Sequence, residues 1–398
     1  MKRRLAILFV ALLAALGAWN YLRPVPAVAA TASLPTHDTV PGTPPKIPWP
    51  RAGQGAVGVS GLGFIASSGN EQPVAAASVT KVMTALIILT DKPLQKDEQG
   101  PSITITDADV QAYQADLAGK QSVVEVRAGE QLTEFQLLQG MLIPSANNFA
   151  ETLARWDAGT IDPFVASMNK RAADLHMAHT TFADTSGVSP KTVSTASDLM
   201  ALGMEAMKQE VFAQIVGMAQ AQLPFAGTVY NVDGMLGQSG IVGIKTGSGL
   251  ADGANFLFAA TAPVDGHPLN MYGCVMGQPT LAIAFEAAKV LIAAMRSNLH
   301  VRRVIVKNQA IASYATPWGG QSDLLSTVDV DLVEWPGMIL RQRLDAPAIV
   351  VENPLPASTR EGSEHLALGD YSLDVELVTG SSLFPPGRLW RLTRINFL

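Results

Sequence analysis

Three short patterns in the chain bring together residue types that can do chemistry. The first is Ser78-Val79-Thr80-Lys81. On a helix, positions three apart share a face, so the hydroxyl of Ser78 and the amine of Lys81 point the same way. A serine is a weak nucleophile until a base takes its proton. A lysine walled in by apolar groups has its pKa pushed down and can be that base. Taken alone the pattern is weak, because it also describes a surface lysine one turn from a helix cap.

The second pattern is Ser145-Ala146-Asn147, directly after Pro144. A helix break there turns polar groups toward a cleft. Ser145 can relay a proton between the lysine and a leaving group, and Asn147 can hydrogen-bond a substrate amide. Plain N-capping of the next helix by Ser145 is the competing reading. The third is Lys245-Thr246-Gly247, closing the run GIVGIKTG. Ile241, Val242 and Ile244 make a strand to which an extended peptide can add through its main chain. Gly247 allows close backbone approach. Lys245 and Thr246 offer a cation and a hydroxyl to a terminal carboxylate. A phosphate-binding loop is rejected, because that motif needs Gly before the Lys and Ile244 stands there. An edge strand ending in a solvated lysine is the alternative.

These patterns need elements to hold them. Gly55 to Ser68 reads as two short strands and a turn. Ser78 to Thr90 reads as a buried central helix with an N-cap-type Ser. Glu134 to Trp156 reads as two helices broken at Pro144. Phe164 to Leu175 and Ser197 to Met207 are helical, Gly240 to Gly247, Ala254 to Ala262 and Met271 to Gly277 are strands, and Thr280 to Asn298 is a long apolar helix. Strands, a helical middle, then strands and a closing helix predict an α/β sandwich on an antiparallel sheet. After His300 strict alternation in Val328–Leu332 and Ser372–Leu377 predicts a separate all-β domain.

The ends differ from the middle. Lys2-Arg3-Arg4 precedes a charge-free run from Leu5 to Trp19, and Ala27-Val28-Ala29 and Ala30-Thr31-Ala32 offer small-residue cleavage steps. This is a secretory signal or an uncleaved anchor. Fifteen apolar residues span only about 22 Å of a ~30 Å hydrocarbon core. Either way the body lies outside the cytoplasm. Removing residues 1–29, with four basic and no acidic residues, takes the formal charge from −6 to −10. Five prolines between His37 and Arg51 read as a stiff spacer. The tail from Phe384 carries Arg388, Arg391 and Arg394 among Leu389, Trp390, Leu392, Ile395, Phe397 and Leu398, a basic amphipathic segment able to lie in an anionic interface. A last β-strand is the alternative there.

Composition excludes other classes. Of 398 residues, 48% are hydrophobic and 16% charged, which excludes global disorder. One cysteine excludes a disulfide framework or a cysteine-built zinc site. An acidic chain with 6% aromatics and no basic stretch beyond residues 2–4 is a poor nucleic-acid binder. His176 and His179 lack a third ligand and read as solvated helix-end residues; Cys274 reads as a buried small hydrophobe. Asn231 and Asp233 either brace the cleft or make a plain turn.

Together the three patterns resemble the D-alanyl-D-alanine carboxypeptidases, the low-molecular-mass penicillin-binding proteins. The surrounding residues are similar too: Ala77 to Thr84, Met141 to Asn148, Asn231-Val232-Asp233-Gly234 and Gly243 to Gly247, with gaps of 67 (78 to 145) and 100 (145 to 245) residues. The likeness covers about Pro48 to Asn298, and more weakly the β-rich segment and tail. It implies a penicillin-recognising serine-transferase fold of the α/β (α+β) type, an antiparallel sheet with a helical subdomain followed by a small all-β domain. The implied division is 1–29 signal peptide or N-terminal anchor, 30–50 Pro-rich linker, 51–298 catalytic domain, 299–383 β-rich domain, and 384–398 amphipathic tail as a candidate membrane anchor.

The resemblance also implies the chemistry. Ser78 attacks the carbonyl between the last two D-alanines of a peptidoglycan stem peptide, Lys81 takes the proton, and the backbone N–H groups of Ser78 and Ser248 form the oxyanion hole. Ser145 and Asn147 complete the catalytic set; Lys245, Thr246, Gly247 and Ser248 bind substrate. β-Lactams acylate Ser78 as inhibitors. No metal or cofactor is implied. The partners are the stem peptide and a membrane surface through one terminus, with no nucleic acid, and the location is extracytoplasmic. Related outcomes are endopeptidase action on cross-links, a β-lactamase, and a non-catalytic wall-binding protein. A class A β-lactamase needs a glutamate-bearing loop; Glu151, Glu205 and Glu210 are the glutamates between the second and third patterns, and none lies in such a loop. Family members often carry an arginine after the strand that here reads Val275-Met276-Gly277. This chain has Gln278-Pro279, so Lys245, Thr246 and Ser248 must hold the substrate carboxylate.

Overall fold

Strand Gln54–Val59 is buried at every position and Gly253–Val264 at nearly every one. A strand with no wet face must lie in a sheet covered on both sides. In the computed structural model, which describes residues 2–69, 71–250 and 253–394, these two join Gly63–Ser67, Ile241–Leu250 and His267–Gln278 in an antiparallel sheet. Its spatial order is 241–250, 253–264, 267–278, 54–59, 63–67. The central hairpin turns on Asp265-Gly266 alone, both at positive φ (+48° and +84°), between the paired residues Val264 and His267. A two-residue Asp-Gly loop of this kind matches the right-handed twist of the strands.

Neighbouring residues on a strand face opposite sides. Phe256 meets Phe285 of helix Leu281–Asn298 edge-on at 4.9 Å, while Leu257 packs against Gly203 of helix Ala196–Ala206. The two helices therefore cover opposite faces. Thr280 caps the first by accepting from Ile283 N–H (3.3 Å). The expected helix break falls at Pro144, between Glu134–Leu142 and Asn147–Ala158. Thr133 and Gln136 form a capping box at the start of this pair. Helix Lys81–Asp91 has Val82, Met83, Ala85, Leu86, Ile88 and Leu89 buried and runs through the core. Cys274 is buried in its strand.

These elements make one unit, residues 45–300; residues 1–44 and 301–398 make a second. The second is built on a seven-stranded sheet of order 30–32, 310–315, 321–326, 371–379, 360–368, 339–345, 37–39. The reading of residues 30–50 as a mere linker is corrected here. Ala30–Ala32 pairs with Ala312–Tyr314, and His37–Thr39 pairs with Ile339–Arg341. Each closes one edge of the sheet. Three-residue strands are too short to show an alternating pattern, and the prolines at 41, 44, 45, 48 and 50 all follow the last paired residue, Val40, whose N–H donates to Met338 O (2.8 Å). The tail forms a helix, Arg388–Thr393, rather than a strand. Ile395, Phe397 and Leu398 lie outside the described residues.

Candidate active site

Ser78 lies in a 3-10 turn, Ala77–Thr80, that runs into helix Lys81–Asp91. It is not the helix N-cap that its sequence context suggests: the turn begins before it, and no side chain caps the helix. Neighbours impose this geometry. Asn255 Nδ2 donates to the carbonyls of Ala75 (2.9 Å) and Ala76 (3.1 Å), and its Oδ1 accepts from Gly277 N–H (3.0 Å). Ala77 is held at φ +48°, a left-handed conformation costing a non-glycine residue on the order of 1 kcal/mol or more. Gly187, at φ +82°, presses on the turn so closely that a Cβ there would sit 1.8 Å from Ala77 O.

Lys81 Nζ lies 2.9 Å from Ser78 Oγ and donates to Ser186 O at 3.1 Å. The side chain is fully buried. Burial holds its pKa well below the ordinary lysine value; the nearby charge of Lys245 pushes the same way, and Asp184 and Asp116 oppose it. Such an amine can be neutral and accept a proton. The Ser186 carbonyl is fixed by Asp184, whose carboxylate accepts from Val188 N–H (2.7 Å), Ser189 N–H (3.3 Å), Ser186 Oγ (3.3 Å) and Thr192 Oγ1.

Ser145 sits at φ +69° in the break between two helices. The N-cap of the second helix is Ala146, without a side-chain cap bond. The capping alternative for Ser145 is thereby set aside, and its Oγ is buried with no hydrogen-bond partner among the described residues. Asn147 donates from Nδ2 to Gln121 Oε1 (2.6 Å) and from its N–H to Ser122 O (2.8 Å). Its helix packs against helix Lys81–Asp91.

Strand Ile241–Leu250 is the sheet edge. Lys245 is buried, and Nζ donates to Thr246 O (3.1 Å). Burial lowers its pKa to about 7, with Asp233 opposing. Gly247 lies bare against the serine turn: a Cβ there would meet Ala76 O at 3.1 Å and Ser78 N at 3.2 Å. Pairing with the neighbouring strand is regular from Gly243↔Ala259 to Gly247↔Asn255 and then shifts before Leu250↔Gly253, so Ser248 falls in a bulge. Bulges re-aim backbone groups next to sites. Gln278, at the place of the expected arginine, is buried and donates to Ala52 O (2.7 Å) and Met276 O (3.1 Å). It serves the sheet. Asn231 and Asp233 hold the turn before the strand: Asn231 Nδ2 donates to Met218 O (2.8 Å), and Asp233 Oδ1 accepts from Met235 N–H (2.9 Å).

A family model described as D-alanyl-D-alanine carboxypeptidase matches residues 63–280, more than half of the chain. The chain belongs to the D-alanyl-D-alanine carboxypeptidase family. It is 35% identical over 226 residues to the D-alanyl-D-alanine carboxypeptidase DacB2 of Mycobacterium tuberculosis, covering 54% of this chain and 72% of the relative. A Streptomyces DD-transpeptidase structure is 26% identical with a TM-score of 0.55, over 64% of this chain and 98% of that one. Penicillin binding protein 5 from Haemophilus influenzae, 20% identical, aligns with a TM-score of 0.63 over 86% of this chain and 99% of that one, and so shares the fold. As a carboxypeptidase of this family, the chain is a hydrolase of the peptidase class with the penicillin-recognising fold.

Several residues around the carboxypeptidase site escape a reading of short patterns: Gln121 beside Asn147, Asp184 and Gly187 behind the lysine, and Asn255 across the strand. Each bears on a site residue that lies well away from it along the chain. Only Thr185-Ser186-Gly187 carries a local signal, a polar turn cluster. His176 and His179 are exposed, and no metal-ligating cluster occurs among the described residues.

Proposed function

We propose that this carboxypeptidase removes the terminal D-alanine of peptidoglycan stem peptides through an acyl-enzyme on Ser78, outside the cytoplasm. The observation that carries the reading is the Lys81 Nζ to Ser78 Oγ distance of 2.9 Å beside the free edge of the strand holding Lys245 and Thr246. The substrate adds to that edge in extended form, and its carboxylate meets Lys245, Thr246 and Ser248. Asn147 takes the peptide amide.

Ser78 Oγ attacks the carbonyl carbon of the penultimate residue as its proton passes to Lys81 Nζ. The N–H groups of Ser78 and Ser248 receive the oxyanion, each worth about 3–4 kcal/mol. The C–N bond breaks as Lys81 passes its proton through Ser145 Oγ to the departing D-alanine amine, which leaves Lys81 neutral. Water then attacks the ester carbonyl, Lys81 accepts the water proton and returns it to Ser78 Oγ as the C–O bond breaks, and the shortened peptide leaves as its carboxylate. A β-lactam enters the same first step and stays as the acyl adduct.

The test combines two measurements on one preparation. A pentapeptide ending in D-Ala-D-Ala is incubated with the protein and free D-alanine is quantified; fluorescent penicillin labelling is read on a gel. Release together with a labelled band, both lost in Ser78→Ala, is the expected result. A band in Ser78→Ala, or label without D-alanine release, overturns the proposal.

A further inference from the structure

The N-terminal helix is built into the molecule in a way that a discarded leader is not. Helix Lys2–Leu22 carries an uncharged stretch from Leu5 to Leu22, about 27 Å at ~1.5 Å per residue, close to a ~30 Å hydrocarbon core and within the roughly 17–25 residues of a crossing helix. Lys2, Arg3 and Arg4 stand outside that stretch. Its apolar side chains, among them Leu8, Phe9, Leu12 and Trp19, are exposed in the folded chain and need an apolar medium.

At its far end the helix is held by the opposite terminus. Arg394, only 7% exposed, donates from Nε and Nη2 to Asn20 O (3.0 and 2.7 Å), from Nη1 to Pro24 O (2.9 Å), and from Nη2 to Arg23 O. A guanidinium at the last carbonyls of a helix also complements its dipole. Asn20 Nδ2 donates back to Leu392 O (3.2 Å), and Gly17 faces Leu392, whose Cδ2 would lie 3.7 Å from a Cβ at that glycine. The small-residue steps that would serve for cleavage are folded into the β unit. Val25 and Val28 are buried, Val28 N–H donates to Ile349 O (2.8 Å), Ile349 N–H donates to Val28 O (3.0 Å), and Ala30–Ala32 is an edge strand. Cleavage after Ala29 would remove every one of these carbonyl partners of Arg394.

We infer that residues 2–32 are retained, that Lys2–Leu22 crosses the lipid bilayer, and that helix Arg388–Thr393 clasps its outer end in the headgroup layer. Charge and aromatic placement set the orientation. Arg3 and Arg4 mark the cytoplasmic side. Trp19, Tyr21 and Trp390 form the outer aromatic belt, with Trp390 edge-on to Trp318 at 5.2 Å. Arg23, Arg388 and Arg391 sit at the level of anionic headgroups, while exposed Leu389 and Leu392 reach the acyl boundary. This anchor stands independently of the acyl-enzyme.

The full-length chain is expressed in a bacterial host and recovered from membranes. The intact mass is expected to include the N-terminal segment, near 42.0 kDa. A truncation of residues 384–398 is expected to stay in the membrane through alkaline carbonate washing. The pair Gly17→Cys with Leu392→Cys is expected to form an intramolecular disulfide on mild oxidation, while neither single variant does. A mass lacking residues 1–29 or 1–32 overturns retention, release of the truncated chain overturns the membrane crossing, and a retained helix without the cross-link overturns the clasp.

Discussion

Two amines in this site have opposite requirements. In the proposed reaction Lys81 is neutral when it takes the proton of Ser78, and Lys245 is charged when it holds a carboxylate. Burial lowers both, Lys245 to about 7 and Lys81 well below its ordinary value. The neutral fraction of Lys81 grows as pH rises through its pKa; the charged fraction of Lys245 falls as pH rises through about 7. The kcat/KM for a carboxylate-ended peptide is therefore bell-shaped, with its falling limb near neutrality, because kcat/KM reports the free enzyme. In kcat the limb moves to higher pH, since the bound carboxylate favours the ammonium form. Lys245→Arg, which stays charged, is expected to displace the falling limb of kcat/KM upward; an unmoved limb refutes the assignment to Lys245. Lys81→Ala is expected to slow penicillin acylation by roughly 10²–10⁴-fold, the usual worth of a positioned base, read by stopped labelling at pH 7.

At the level of elements, the site exists because a turn, a strand edge and a helix break are tied to one another. Asn255 joins the carbonyls of Ala75 and Ala76 to Gly277 N–H across the sheet. Asn255→Ala takes one hydrogen-bond partner each from Ala75 O, Ala76 O and Gly277 N–H, at a cost of about 1–3 kcal/mol. The expected result is a lower Tm and a larger proportional loss of acylation rate; a lower Tm with unchanged acylation would separate the turn from the chemistry. A second tie is unfavourable at high pH. Glu134 begins helix Glu134–Leu142 fully buried, with neither carboxyl oxygen hydrogen-bonded among the described residues, and burial raises its pKa to about 7. The unfolded chain releases this proton near the ordinary value of 4.5, whereas the folded chain keeps it to about 7. The native state thus binds more protons between these values, and stability falls as pH rises through that window. Glu134→Gln is expected to raise Tm at pH 8, by roughly 2–4 °C per kcal/mol recovered, and to change it little at pH 4. Equal shifts at both pH values would contradict this account.

Across the whole molecule, each unit buries a core of its own. The large buried cluster draws its residues from Ala56 to Met276, and the seven-stranded sheet buries its own set, including Ile311, Tyr314, Leu324, Leu366 and Leu377. Calorimetry of the detergent-solubilised full chain is expected to give two transitions. A β-lactam bound at Ser78 stabilises only the state that holds it, so it should raise one transition and leave the other in place. A single transition that shifts as a whole would show one cooperative body instead.

The meeting of Ser78 and Lys81 was legible in the sequence because it rests on local spacing. A hydroxyl and an amine three residues apart meet on any helical or near-helical turn, so Ser78 and Lys81 came together whether the turn was 3-10 or α. The Pro144 break and the strand run ending at Gly247 are likewise local. Tertiary structure decided what depends on distant partners. Asn255 and Gly187 force the Ser78 turn away from a simple cap, Asp184 fixes the carbonyl behind Lys81, and Gln278 is absorbed by the sheet. It also decided the fate of residues 30–39. Three-residue segments carry no pattern of their own, and only the unfilled edges of a sheet made largely by residues after 300 give them hydrogen-bond partners.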